Sequence, residues 1–301
     1  MTDTPLAPPR SQWADVWHQF RHHRGAMFGA FVFLFLVAAV YLGPLVWTVD
    51  PQFLPRGRDF LDLRDTRPIY VALWDGGAKV SWAHPLGTDN LGRDTLARLM
   101  FGGRVSIAVG LTAMVLSVLL GTFIGILAGF FRRLDGPLMR LTDLFLALPL
   151  LPLILVASLL FRESLSANFG PEGGMFILIV TVVGITSWMP TARIVRGDVL
   201  AIKEREFVLA ARSIGTQPFK IITRHLLPNV LSPIMVSATL GLATAIITES
   251  ALSFLGVGFP SDFPTWGKML ADAVARMEDF PERVMLPGIA ISLTVLGGNY
   301  L

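Results

Sequence analysis

The chain has 301 residues, 53% of them hydrophobic and only 16% charged, with a formal net charge of +3 and a mean hydropathy of +0.60. Soluble domains carry about a quarter charged residues, so this deficit argues against a water-soluble fold and places the chain in a membrane. The basic residues flank apolar runs rather than forming one patch, which argues against nucleic acid as a partner, and the absence of cysteine excludes disulfide and thiol chemistry.

Residues 1–25 form a tail. Within it Trp13, Val16, Trp17 and Phe20 recur at i, i+3, i+4 and i+7 beside Arg21 and Arg24, the pattern of a short amphipathic helix on the membrane surface. His18 and His22 lie four apart on that helix, but two ligands are too few for a metal site, so no metal is expected. A spanning helix needs roughly 20 apolar residues. The candidates are Ala26–Trp47, Val105–Phe131, Leu144–Phe161 with Pro149 and Pro152 inside it, Met175 to about Ala192, Val230 to about Val257, and Val284–Leu301. The expected fold is therefore an all-α integral membrane protein with about six transmembrane helices. Residues 48–104 form a long loop on one side, and residues 105–301 the main transmembrane domain.

Three segments are rich in Lys and Arg: the tail (Arg10, Arg21, Arg24), the link after span two (Arg132, Arg133, Arg140), and the link after span four (Arg193, Arg196, Lys203, Arg205, Arg212, Lys220, Arg224). The positive-inside rule puts all three, and both termini, in the cytoplasm. The opposite side holds the long loop, with its stretch "HPLGTDNLGRD" from His84 to Asp94. There Thr88 or Asp89 is expected to cap the next helix, and Asp94 to pair with Arg98 four residues on.

Two rows mark the spans. Gly121, Gly125 and Gly129 are spaced four apart in span two, which lets helix backbones approach closely. In span five Ser237, Gly241, Ala245, Glu249 and Ser253 make a small or polar ridge around the only mid-span acid. A buried charge of this kind faces protein or water rather than lipid, so Glu249 either serves the passage or accepts hydrogen bonds within helix packing. No P-loop, no H-E-x-x-H and no nucleophile elbow occurs, so no catalytic residue and no cofactor belong to this chain.

The basic link after span four holds a half-apolar stretch within residues 198–229, "EREFVLAARSIGTQPFKIITRHLLPN" from Glu204 to Asn229. It reads as helix, turn, helix. Phe207, Ala210, Ala211 and Ile214 share a face by spacing, with Glu206 in the first turn. Gly215 suits a left-handed C-cap. Thr216 is expected to cap a second helix with Pro218 in its first turn and Phe219, Ile222 and Leu226 on one face, closed by Pro228. On pattern alone this is either a docking surface or a hairpin on the headgroups.

Ala210-Ala211, then Gly215, then Leu227-Pro228 resemble the loop by which the permeases of ABC importers couple to their ATPases. Two positions depart from that pattern: Leu209 stands where the family has glutamate, and His225 where it has isoleucine. "HPLGTDNLGRD", "ESALSFLGVG" around Glu249 and "PTWGKML" from Pro264 resemble the dipeptide and oligopeptide permease subfamily, which also includes nickel and glutathione importers. The resemblance implies a bacterial inner-membrane subunit whose partners are a homologous second permease, two ATPase subunits carrying ATP and magnesium, an extracytoplasmic solute-binding protein, and membrane lipid. It implies ATPase coupling through Glu206, Phe207, Ala210, Ala211, Gly215, Phe219 and Pro228. The alternative is a self-sufficient secondary transporter, which predicts internal repeats and several charges within spans.

Overall fold

The computed structural model describes residues 20–300 except Ser261. The surface helix expected around Trp13–Trp17, His18 within it, and the final residue of span six, Leu301, lie outside the described residues. In order, the helices are α1 (Arg24–Val46), α2 (Arg58–Leu63), α3 (Thr95–Phe130), α4 (Arg132–Ala147), α5 (Leu150–Thr186), α6 (Met189–Ile202), α7 (Glu206–Ser213), α8 (Pro218–Ile221), α9 (Leu227–Asn229), α10 (Leu231–Phe254), α11 (Trp266–Val274) and α12 (Pro281–Tyr300). Among the described residues, β pairing is confined to two isolated bridges, Arg67–Val80 and Thr88–Asp94. The all-helical membrane architecture is as the sequence implies.

Four helical stretches are long and apolar enough to cross a membrane: Arg24–Val46, Thr95–Phe130, Leu150–Ile202 and Leu231–Phe254. The third has 53 residues and is more than one crossing. Gly170 takes φ 77° and ψ 163°, outside helical geometry. A Cβ at Gly174 would lie 2.6 Å from the backbone of Leu165 and Ser166, so the second leg of α5 folds back on the first. Glycine serves here once for the turn and once for the close approach. The expected sixth span, α12, is not among these four stretches; it opens on Glu282 and carries Pro287.

Three expected boundaries move. The second span is the C-terminal part of α3, which starts ten residues earlier; its 36 residues reach roughly 54 Å, beyond a bilayer core of about 30 Å. The third does not begin at Leu144. Pro149 is the N-cap of α5 and Leu148 is held extended at ψ 130°, as a residue before proline must be. Leu144–Ala147 therefore belongs to the amphipathic α4. The fourth is interrupted at Ser187–Trp188, and Pro190 enters the first turn of α6, where its missing N–H costs no helix bond.

Helix α3 is the centre of the bundle, packed on α6, α10, α5 and α1. The glycine row faces α6 of the same chain. A Cβ at Gly121 would meet Thr191 and the Trp188 carbonyl at 2.6 Å, one at Gly125 the Ala192 carbonyl at 2.7 Å, and one at Gly129 Val199 at 2.7 Å. The α4–α6 contact carries a two-pronged ion pair from Arg196 to Asp135, at 2.5 and 2.7 Å. The Arg196 hydrogen bond holds the Asp135 carboxyl below the usual carboxylate range.

The segment between α1 and α3 is tied both to the end of α1 and to the α11–α12 region. Asp94, not Thr88 or Asp89, caps α3, its Oδ1 accepting from the Ala97 N–H at 2.6 Å. The same carboxylate accepts the Trp47 indole N–H at 3.1 Å and meets His84 Nδ1 at 2.6 Å. Asp94 is thus spoken for and does not pair with Arg98. Further out, Asp65 receives Arg276 at 3.1 Å and Arg283 at 2.9 Å. Burial pushes the Asp65 carboxyl up, but the hydrogen bond and charge of Arg283, with those of Arg276, outweigh it and hold the group below its ordinary value.

Candidate functional site

The link between α6 and α10 folds as a compact helical hairpin. Lys203 ends α6 and donates its Nζ–H to the Gly129 carbonyl at the foot of α3, 2.8 Å away. Helix α7 follows with Glu206 in its first turn and Arg212 in its last, the charge order that complements a helix dipole. Gly215 has φ +80°. The Gly215 N–H donates to Arg212 and the Thr216 N–H to Ala211 across the turn, at 2.9 and 3.0 Å, so the expected left-handed helix stop is present. The cap of α8 is Gln217 rather than Thr216, and it makes no side-chain hydrogen bond.

The hairpin has two different sides. Val208 is 0% exposed and joins Ile221, Leu226, Val195, Val199 and Ile126 in one apolar cluster, and Ala211 is buried on the same helix. Phe207, Leu209, Ile214 and Phe219 are exposed, Ile214 at 83% and Phe219 at 73%; Ala210 and Pro228 are exposed as well. The expected common face of Phe207, Ala210, Ala211 and Ile214 is therefore split, with Ala211 turned inward and the other three outward. The second face is split too. A π turn over Ile222–Leu226 widens the helix, so the buried pair is Ile221 and Leu226, five apart, while Phe219 points away. His225, where the resemblance expects isoleucine, sits against the Phe207 ring at 6.1 Å. Arg212 lies 5.2 Å over the ring of Phe130. Among the described residues Glu206 has no ion pair.

The span-five ridge lies on α10. Ser237, Ala245, Glu249 and Ser253 are buried and Gly241 half-buried, within 3.6 Å of Met114 on α3 if it bore a Cβ. Glu249 is 0% exposed. Its Oε1 accepts from the Ser253 hydroxyl at 2.8 Å, and the hydroxyls of Ser106, Ser250 and Thr265 complete its surroundings. Among the described residues Oε2 has no partner at full hydrogen-bond geometry. Ser106 accepts the Trp266 N–H at 3.4 Å and Thr265 the Lys268 N–H at 3.2 Å. Both hydroxyls therefore keep a proton to point at the carboxyl. Gly102 lets α3 approach the Thr265 backbone and Gly267 lets the start of α11 approach the Ser250 backbone on α10, while Gly103 leaves room for the Trp266 ring. The sequence motifs "ESALSFLGVG" and "PTWGKML" meet here.

Residues 121–301 match the family described as "Binding-protein-dependent transport system inner membrane component". The chain belongs to that family. Residues 11–63 also match the N-terminal transmembrane domain of oligopeptide transport permease C. This inner-membrane component is 32% identical to the dipeptide transport system permease protein DppC of Alkalihalophilus pseudofirmus, over 100% of this chain and 92% of the relative. It is 35% identical to the di/tripeptide transport system permease protein DppC of Pseudomonas aeruginosa, with the same coverage. Its fold matches a chain of an inward-facing structure of the MetNI methionine ABC transporter, with a TM-score of 0.53 and 16% identity over 67% of this chain and 93% of that one.

Proposed function

We propose that this inner-membrane component is the permease subunit of an ATP-driven importer of dipeptides or short oligopeptides. It forms half of a passage completed by a homologous second permease. Two ATPase subunits dock in the cytoplasm, and a solute-binding protein delivers the peptide outside. ATP and magnesium belong to the ATPases; this chain makes and breaks no bond. The chain crosses six times, through α1, α3, the two legs of α5, α10 and α12, with both termini and the α7–α9 hairpin inside and residues 48–94 outside. The reading of a peptide cargo rests on the dipeptide and di/tripeptide permeases among its relatives.

The observation that carries the reading is the two-sided hairpin. An isolated loop on headgroups needs one apolar side. This one seals one side into its own bundle through Val208, Ala211, Ile221 and Leu226 and still presents Phe207, Ile214 and Phe219. Apolar knobs on a rigidly seated basic loop suit a protein groove. Force applied there reaches α6 directly and α3 through the glycine row and Lys203. Alternating access is then a two-state equilibrium biased by ATP on one side and by loaded binding protein on the other. Glu249, enclosed by this chain's own helices, is a positioning residue that holds α11 against α3 and α10.

The test is peptide uptake in proteoliposomes. The reading requires uptake to depend on ATP, on both permeases and on the binding protein. Uptake by this chain alone, driven by an ion gradient, would make it a secondary transporter.

A further inference from the structure

Arg98, in the first turn of α3, is a buried charge with few partners. It is 2% exposed. Among the described residues its one hydrogen bond runs from Nη1 to the Pro51 carbonyl at 3.4 Å, and its nearest carboxylate oxygen is Asp89 Oδ2, 3.8 Å from Nε. Asp89 is already committed: Oδ1 accepts the Leu91 and Arg93 N–H groups at 2.9 Å each, and Oδ2 accepts Arg93 Nε at 2.7 Å. Asp272, whose charge reaches Arg98 as that of Asp262 does, is committed to Lys268 at 2.6 Å, and Asp65 is committed to Arg276 and Arg283. A buried guanidinium with five donors and one long acceptor is costly unless something else supplies acceptors.

Beside it lies a cavity of about 40 Å³, lined by Asn90, Thr95, Arg98, Met269, Arg276 and Arg283 together with Asp89 and Asp272. That volume holds roughly three waters, or one carboxylate group, and is far too small for a whole peptide. Of the three arginines in the lining, Arg276 and Arg283 are paired with Asp65, and Asp89 and Asp272 are paired as well, which leaves Arg98 as the cation without a close acceptor. Asn90 and Thr95 add neutral donors at its wall. Guanidinium groups converging with amide and hydroxyl donors match a planar two-oxygen anion.

We propose that this cavity is a carboxylate-binding site, with Arg98 as its buried anchor and Arg276 at its rim. It accepts a single acidic group inserted from outside: the carboxylate of a passing peptide or an acidic side chain of the docking extracytoplasmic protein. That it opens on the outer face rests on the topology proposed above; the binding itself does not.

The experiment uses the assembled transporter in nanodiscs, titrated with sodium acetate, with sodium chloride at equal ionic strength, and with neutral acetamide. Acetate should raise the thermal midpoint saturably, while acetamide and chloride should not. Arg98→Gln should raise the half-saturating acetate concentration about tenfold or more. If that variant does not assemble, Arg276→Gln should act in the same direction. No saturable response, an equal response to chloride or acetamide, or an unchanged response in the variants would overturn the site. Uptake then separates the sources. Loss confined to free-acid peptides, with C-terminal amides unaffected, assigns the peptide. Equal loss for both, with weaker binding of the extracytoplasmic protein, assigns the docking side chain. Normal uptake and docking in the variants would remove any role in transport.

Discussion

Gly125→Leu tests whether α3 and α6 form one rigid pair. A Cβ at Gly125 would lie 2.7 Å from the Ala192 carbonyl oxygen and 2.8 Å from the Val195 Cβ, well inside the 3.5–4.0 Å of an ordinary carbon contact. One of those neighbours is backbone and cannot swing aside. Gly125→Ala should cost about 1–3 kcal/mol in overpacking, offset by about 1 kcal/mol of helix propensity. Leucine puts three further carbons into the same gap and must push the helices apart, for a loss of roughly 3 kcal/mol or more. The assay is the monodisperse yield and melting midpoint of the solubilised protein. Gly197→Ala, on α6 where a Cβ meets nothing within 4 Å, is the control and should melt at or slightly above wild type. A Gly125→Leu protein that matches wild type in both measurements would refute the seating of the glycine row.

Glu249→Gln replaces an acceptor surrounded by hydroxyl donors and should lower the stability of the chain by about 1–3 kcal/mol, with uptake falling in step; lost uptake at unchanged stability would instead place Glu249 in the passage. Asp65→Asn should make the segment between α1 and α3 sensitive to protease at every pH, since it leaves Arg276 and Arg283 without their shared carboxylate. In wild type the folded carboxyl is depressed, so its contribution is complete above the unfolded value near 3.9 and is lost only as pH falls through the folded value; protease resistance should therefore be flat from pH 8 to pH 5. Gly215→Ala should weaken the hairpin by about 1 kcal/mol through its φ of +80° alone, because a Cβ there meets no atom; a loss several times larger would mean that a partner surface lies against it.

The membrane architecture was legible because lipid leaves long uncharged runs in α1, α3 and α10. The helix stop at Gly215 was legible because one residue type suits a left-handed turn. Boundaries governed by proline were not: Pro149 and Pro152 sit at the start of α5, where a hydropathy pattern cannot distinguish capping from interior positions. The orientation of Ala211 escaped because four small or apolar residues, Phe207, Ala210, Ala211 and Ile214, span more of a short helix than one face, and only tertiary packing decides which of them turns in. The π turn at Ile222–Leu226 shifted the second face for the same reason. Asp94 was expected to follow the local i, i+4 rule toward Arg98, yet it meets Trp47 from 47 residues away, a contact that leaves no periodic trace. The clusters at Asp65 and at Glu249 join segments more than 150 residues apart and were equally invisible.

The proposed ATPase dock is the outward side of the α7–α9 hairpin. Its most direct test is the fraction of ATPase that co-elutes with the purified permease when Ile214 and Phe219, exposed and making no part of the inner cluster, are changed together to aspartate. The permease should remain inserted and melt within about 0.5 kcal/mol of wild type, as exposed sites do, while ATPase recovery and uptake are lost. Wild-type ATPase recovery and uptake in that variant would contradict it.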